Sequence, residues 1–170
     1  MAKIAFNDNK KILTNISMNI NIRKRMLKTF VWSKLMYGCE SWTIKEDSRQ
    51  KLEAAEMFFY RKMQRIPWTA RVTNEEVLRR VDEERTLIKE IRRRQLKFLG
   101  HILRAGELEK DCLLGRIEGI RARGAQRIKF LDSLRKGIGG GLTVAQMVTL
   151  AENRTGWRSM IDNVTRQSPW

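Results

Sequence analysis

Histidine occurs once, at His101, and cysteine twice, at Cys39 and Cys112. These three residues include no C-x-x-C pair and fall short of the four ligands that a structural zinc site takes. Two distant cysteines make no disulfide framework, and such sparing use fits a reducing compartment. A nucleophilic triad needs a base, and no motif places a serine or cysteine beside His101. No two aspartates are adjacent anywhere in the chain. The acids are scattered, so the carboxylate cluster that holds two metal ions for phosphoryl chemistry is missing. No apolar run approaches the roughly 20 residues that span a bilayer. The N-terminal stretch M-A-K-I-A-F-N-D-N-K-K has no apolar segment of the secretory type. These shortages point to binding without catalysis, without cofactor or metal, in a nuclear or cytoplasmic protein that is not secreted.

Acids are also too few to balance the bases. Thirty-five Lys and Arg face 19 Asp and Glu over 170 residues, a formal net charge of +16. Such a charge bears on partners and association rather than on fold, and nucleic acid or an anionic surface is the usual partner. The excess is distributed. Residues 1–42 carry eight bases against two acids, 83–106 seven against three, and 107–142 eight against five. Hydrophobic residues make up 42% of the chain, enough for a core.

No segment sustains the apolar alternation of a strand, and the apolar spacing is helical throughout, which predicts an all-α protein. A first helix is expected from Ala2 to about Thr14, with Ile4, Ala5, Ile12 and Leu13 as contacts. A second runs from about Ile20 to Tyr37 and closes at Gly38, with Leu27, Phe30, Val31 and Tyr37 inward. On its other side Arg25, Lys28 and Trp32 recur at i, i+3, i+7. That Trp either stacks on a base between cations or packs in the core. A third helix runs from about Lys45 to Ile66 on the stripe Leu52, Ala55, Phe59, Met63, Ile66, and Pro67 ends it. Thr73-Asn74-Glu75-Glu76 reads as a capping box for a short helix to Val81.

The longest helical signal is Asp82–Gly106. Asp82 is expected to cap it, Glu83 and Glu84 to favour its positive end, and Gly106 to stop it after Arg104. Leu87, Ile88, Ile91, Phe98, Leu99 and Ile102 fall on one side. Lys89, Arg93, Lys97 and Arg104 fall roughly opposite, with Gly100 leaving the backbone bare among them. This face suits a phosphate chain, or else it is a solvated surface. Next, residues 115–127 read G-R-I-E-G-I-R-A-R-G-A-Q-R. Glycines admit close approach of backbone amides to phosphate, and the forks of Arg121, Arg123 and Arg127 pair with its oxygens. The bland alternative is a surface loop. It is no P-loop, lacking the G-K-[S/T] ending. Three further helices are expected, from Ile128 to Lys136, from Thr143 to about Glu152, and from about Thr155 to Val164, with Trp157 and Ile161 inward in the last.

Five ordered segments then carry a resemblance. They are V-W-S…L-M-Y-G-C-E-S-W-T (31–43), L-E-A-A-E-M-F-F-Y-R-K-M (52–63), I-P-W-T-A-R-V-T-N-E-E-V-L (66–78), R-R-Q-L-K-F-L-G-H-I-L-R (93–104) and E-G-I-R-A-R-G (118–124). In this order the chain resembles the C-terminal part of non-LTR retrotransposon reverse transcriptases, the endonuclease–reverse transcriptase polyproteins of the RTE-like group. The resemblance implies thumb-like helices over 1–66, a basic post-thumb region over 67–142 and a helical hairpin over 143–170. It implies RNA, an RNA–DNA hybrid or DNA as partner, with the missing polymerase palm or a second copy as further contacts. The family's Y/F-A-D-D catalytic sequence and its endonuclease are absent from this chain, and so is the zinc knuckle of some relatives. The chain thus resembles a truncated reading frame or a fragment kept without its polymerase core. Where relatives read nearer G-R-P-R, this chain has Gly124-Ala125-Gln126-Arg127. The competing expectation is a relic or domesticated helical interaction domain whose charge is unused.

Overall fold

The computed structural model describes residues 1–116, 130–138 and 141–167. Every regular element among them is helical, so the protein is all-α. The chain forms two compact units, one of residues 1–38 and 46–88, the other of 39–45 and 89–170. No helix among the described residues is long and apolar enough to cross a membrane.

The first unit begins with α1 (Ala2–Asp8) and α2 (Lys10–Leu13), two short helices where one was expected. Asn9 parts them, its side-chain amide donating to the Ala5 carbonyl at 2.9 Å, a local bond that competes with helix continuation. The break turns Ala5, Phe6 and Leu13 inward, while Ile4 and Ile12 stay exposed. α3 (Ile20–Met26) runs through a π-helical segment, Leu27–Trp32, into α4 (Ser33–Leu35). Gly38 follows at φ +68°, as its predicted stop position requires. The π segment winds extra residues into its turn and shifts the face. Leu27, Val31, Trp32 and Met36 are therefore buried, while Phe30 and Tyr37, expected inside, are exposed.

α5 (Glu46–Met63) buries Met57, Phe59, Tyr60 and Met63. The Phe6 and Phe59 rings lie 5.5 Å apart, and those of Trp32 and Tyr60 lie 6.4 Å apart. Buried Arg23 donates to the Met63 carbonyl at 3.0 Å and so satisfies the last turn of α5. Thr73 caps α6 (Asn74–Val81) through the Glu76 amide, as expected. Glu76 does not complete the box, since its carboxylate pairs with Arg79 and Arg80, which hold it down at about 2.

The next helix, α7, spans Leu87–Arg104 and not Asp82–Gly106. Asp82 sits at φ +52°, closing α6 in a left-handed turn instead of opening α7. Glu83 is drawn away to Lys24, at 3.5 Å, and to Lys28. The opening amides of α7 are taken by Glu56 of α5, whose Oε1 accepts from the Thr86 and Leu87 N–H groups at 2.9 and 3.1 Å. A carboxylate contributed from another helix thus supplies the cap. Burial pushes Glu56 up to about 7, against the pull of those two amides.

The second unit holds α7 from Lys89 onward, α8 (Glu107–Leu114), α9 (Phe130–Gly137), α10 (Val144–Glu152) and α11 (Arg154–Gln167). Gly106 opens α8 rather than ending α7. Thr143 and Gln146 form a full capping box on α10. The core comprises Leu96, Leu99, Leu103, Leu134, Met147, Ala151, Trp157 and Ile161. Phe98, expected on the buried side of α7, is 38% exposed, and the buried side instead includes Arg92 and Gln95. Gln95 donates to the Cys39 and Trp42 carbonyls at 2.9 and 2.8 Å, and Ser133 to the Ile44 carbonyl at 3.0 Å. This network ties the 39–45 segment to α7 and α9, because a buried polar group without a partner is costly. Arg92 donates to Gln95 and Ser133, and desolvation lowers its pKa to about 10.

Candidate nucleic-acid interface

Helical periodicity places Arg93, Lys97, His101 and Arg104 in one row at i, i+4, i+8 and i+11 of α7. On α11, Arg154, Arg158 and Asp162 form a second row at i, i+4 and i+8. The two rows face one recess of about 540 Å³. Its floor is made by Trp157 and Ile161, 2% and 3% exposed. Five permanent cations and a histidine therefore surround one carboxylate.

The recess exists because Gly100 is small. A Cβ on Gly100 would lie 2.1 Å from Nε1 of Trp157. The indole can thus lie on the α7 backbone, where its N–H donates to the Leu96 carbonyl at 3.0 Å. Gly100 does not leave a bare cationic surface, as the sequence suggested; it is buried beneath a tryptophan. The end of α7 is fixed in turn by Arg104, whose Nη1 donates to the Ala151 carbonyl at 2.8 Å. Asn153 precedes α11 and accepts from the Thr155 and Gly156 N–H groups at 3.1 and 3.0 Å. Both rows are thereby held on well-anchored helices.

The electrostatics of the recess differ from those of the first unit. There, Arg49 pairs with Glu46 and Glu53, Arg79 and Arg80 with Glu76, and Arg85 with Glu53. In the recess, Arg93 approaches Asp162 at 3.6 Å, an ion-pair distance too long for a hydrogen bond. The Nε of Arg93 is buried without a partner among the described residues. The side chains of Lys97, Arg154 and Arg158 make no ion pair or hydrogen bond among the described residues. Like charges at i, i+4 cost a helix about 0.2–0.5 kcal/mol per pair. Two such pairs, Arg93/Lys97 and Arg154/Arg158, therefore do not serve the stability of α7 and α11. A row of unneutralised donors can instead hold an anion, with guanidinium forks matching phosphate oxygens.

Of the residues expected to bind nucleic acid, Arg93, Lys97 and Arg104 come together here. Lys89 lies on α7 outside the lining of the recess. Arg25 and Lys28 belong to the first unit and are exposed. Lys28 lies 5.6 Å over the Trp32 ring and pairs with Glu83, and Trp32 itself is 3% exposed, so this tryptophan is core and no stacking platform. Arg121, Arg123 and Arg127 lie outside the described residues, as does the Gly/Arg loop beyond Arg116. Sequence reasoning missed His101, Arg154, Arg158 and Asp162. For His101 the signal was its place at i+8 in the α7 row; for Arg154, Arg158 and Asp162 it was an i, i+4, i+8 row flanking the inward Trp157, in a stretch of near-balanced charge. No group of three or more His, Cys, Asp or Glu among the described residues could hold a metal ion.

No family model matches the chain, and neither a curated protein nor a solved structure matches it.

Proposed function

We propose that this chain is a non-catalytic nucleic-acid-binding helical module that grips RNA or a template–primer duplex by its phosphates. The observation that carries this reading is the convergence of Arg93, Lys97 and Arg104 with Arg154 and Arg158 around one recess facing a single carboxylate. Phosphates carry a charge at every nucleotide, and binding by several Lys and Arg releases counterions in proportion. The Trp157 indole is buried and offers bases no face, so the grip should rest on phosphates and affinity should depend little on sequence. The resemblance to the C-terminal region of RTE-like reverse transcriptases supports the same partner class, with no polymerase or nuclease activity in this chain.

The test is a fluorescence-anisotropy titration with an RNA–DNA hybrid, a single-stranded RNA and a DNA duplex, each at two salt concentrations. Saturable binding that weakens steeply with salt supports the reading. Unsaturable or flat traces at the higher salt would reject it. A second reading, an interaction domain, is favoured by one observation in the first unit. Trp68, Tyr37, Ile16 and Ile4 are 97%, 85%, 64% and 63% exposed. Analytical ultracentrifugation decides it: concentration-dependent self-association supports that reading, and a monomer at all concentrations opposes it.

A further inference from the structure

We propose that the recess between α7 and α11 seats the terminal phosphate monoester at the end of a nucleic-acid strand. The inference rests on the nucleic-acid reading and names the part of the strand that this site takes. A recess of about 540 Å³ is of small-ligand size. It accommodates one nucleotide and is far too small to enclose a duplex. Trp157 and Ile161 close its floor, so a strand does not thread past them. A chain end fits such a closed seat better than a chain middle.

Charge points the same way. Five Lys and Arg against Asp162 leave a formal excess of four. An internal phosphodiester brings one negative charge. A terminal monoester brings about −1.5 to −2 at pH 7 and three strongly accepting oxygens. The donors match: the Nε of Arg93 is buried without a hydrogen-bond partner among the described residues, and Lys97, Arg154 and Arg158, which line the recess, are uncommitted among the described residues. Arg104 is held on the Ala151 carbonyl by one nitrogen, which leaves the rest of its fork available. With the indole buried, the seat would read the phosphate and not the base.

The experiment uses the full chain at about 0.15 M salt, near physiological ionic strength. Anisotropy is read on single-stranded RNA of one sequence carrying a 5′-phosphate, a 3′-phosphate or hydroxyls at both ends. A phosphorylated end should bind about tenfold tighter than the hydroxyl form, the worth of one additional charge-assisted contact. Lys97→Gln and Arg158→Gln break no hydrogen bond or ion pair among the described residues, so both should fold, as circular dichroism would verify. Each should reduce the advantage severalfold, while Lys51→Gln, at an exposed position of α5, should keep it. Equal, salt-steep binding of all three strands would overturn this inference and leave the nucleic-acid reading standing. No binding of any strand would overturn both. Adenosine 5′-monophosphate binding where adenosine does not, without any advantage for phosphorylated strands, would assign the seat to free nucleotides and overturn the strand end as its source.

Discussion

Gly100 shows how one missing methyl can shape a recess. In a helix interior, alanine is ordinarily favoured over glycine by about 1 kcal/mol. Here the added Cβ would sit 2.1 Å from the Trp157 indole, and the ring is buried and cannot swing clear. Overpacking costs about 1–3 kcal/mol, and losing the Trp157–Leu96 hydrogen bond adds about 1 kcal/mol. Strain should therefore outweigh propensity. Gly100→Ala is expected to lose about 1–3 kcal/mol net on urea unfolding and to weaken anion binding by displacing the floor of the recess. A more stable Gly100→Ala protein would contradict this packing. The sequence displays Gly100 among basic residues, and from one helix that looks like an open face. What fills it comes from Trp157, 57 positions later, which periodicity within α7 does not reveal.

Glu56 is the second residue with a consequence. Its folded pKa of about 7 lies above the usual 4.5 because burial disfavours the carboxylate. Between these values the native state holds a proton that the unfolded chain has released. Its contribution to stability is thus full below pH 4.5 and is lost as pH rises through 7. A shift of this size amounts to about 3 kcal/mol. Glu56→Gln keeps an acceptor for the Thr86 and Leu87 amides but cannot ionise. Relative to Glu56→Gln, the wild type should lose about 3 kcal/mol between pH 4.5 and pH 7.5 in parallel unfolding titrations. Parallel curves across that range would show that Glu56 stays accessible to water.

At the scale of elements, most helices were legible because their signals are local. Thr73 was read as opening a capping box, Gly38 as a stop, and Trp157 and Ile161 as inward positions, and the structure has Thr73 capping α6, Gly38 at positive φ, and both side chains in the core. Thr143→Ala should cost about 1 kcal/mol in unfolding free energy, since it removes the hydroxyl that accepts from the Gln146 N–H and leaves only the backbone half of the box on α10. No change would mean that α10 is held by its core contacts alone. The misread ends share a cause. Asp82 and Gly106 are good cap residues by type, but each serves the neighbouring helix. The true cap of α7 comes from Glu56, 31 residues before Leu87. The π segment at Leu27–Trp32 likewise has no mark in the sequence, and it exchanges Phe30 for Trp32 in the core.

For the whole molecule, the net charge of +16 is an expectation about partners that does not locate a surface. The first unit spends many of its cations on acids, at Glu46, Glu53, Glu76 and Glu83. The α7–α11 recess leaves most of its cations without such a partner among the described residues. Half of that site came from α7, where basic residues crowd, and could be read. The other half came from α11, where Arg154 and Arg158 are diluted by a balanced composition and only the fold brings them opposite Lys97. The competition between a solvated cationic face and a binding face is therefore decided by function and not by further inspection of charge.

The most direct measurement is the salt dependence of binding to a single-stranded RNA, for the wild type and for Lys97→Glu/Arg158→Glu. The wild type should bind saturably, with a steep fall in affinity as salt rises. The double variant should weaken on every sequence alike, and its log–log salt slope should flatten by about two, one for each lost phosphate contact. An unchanged affinity and slope in a folded double variant would place any nucleic-acid grip elsewhere on the molecule and contradict the recess as its site.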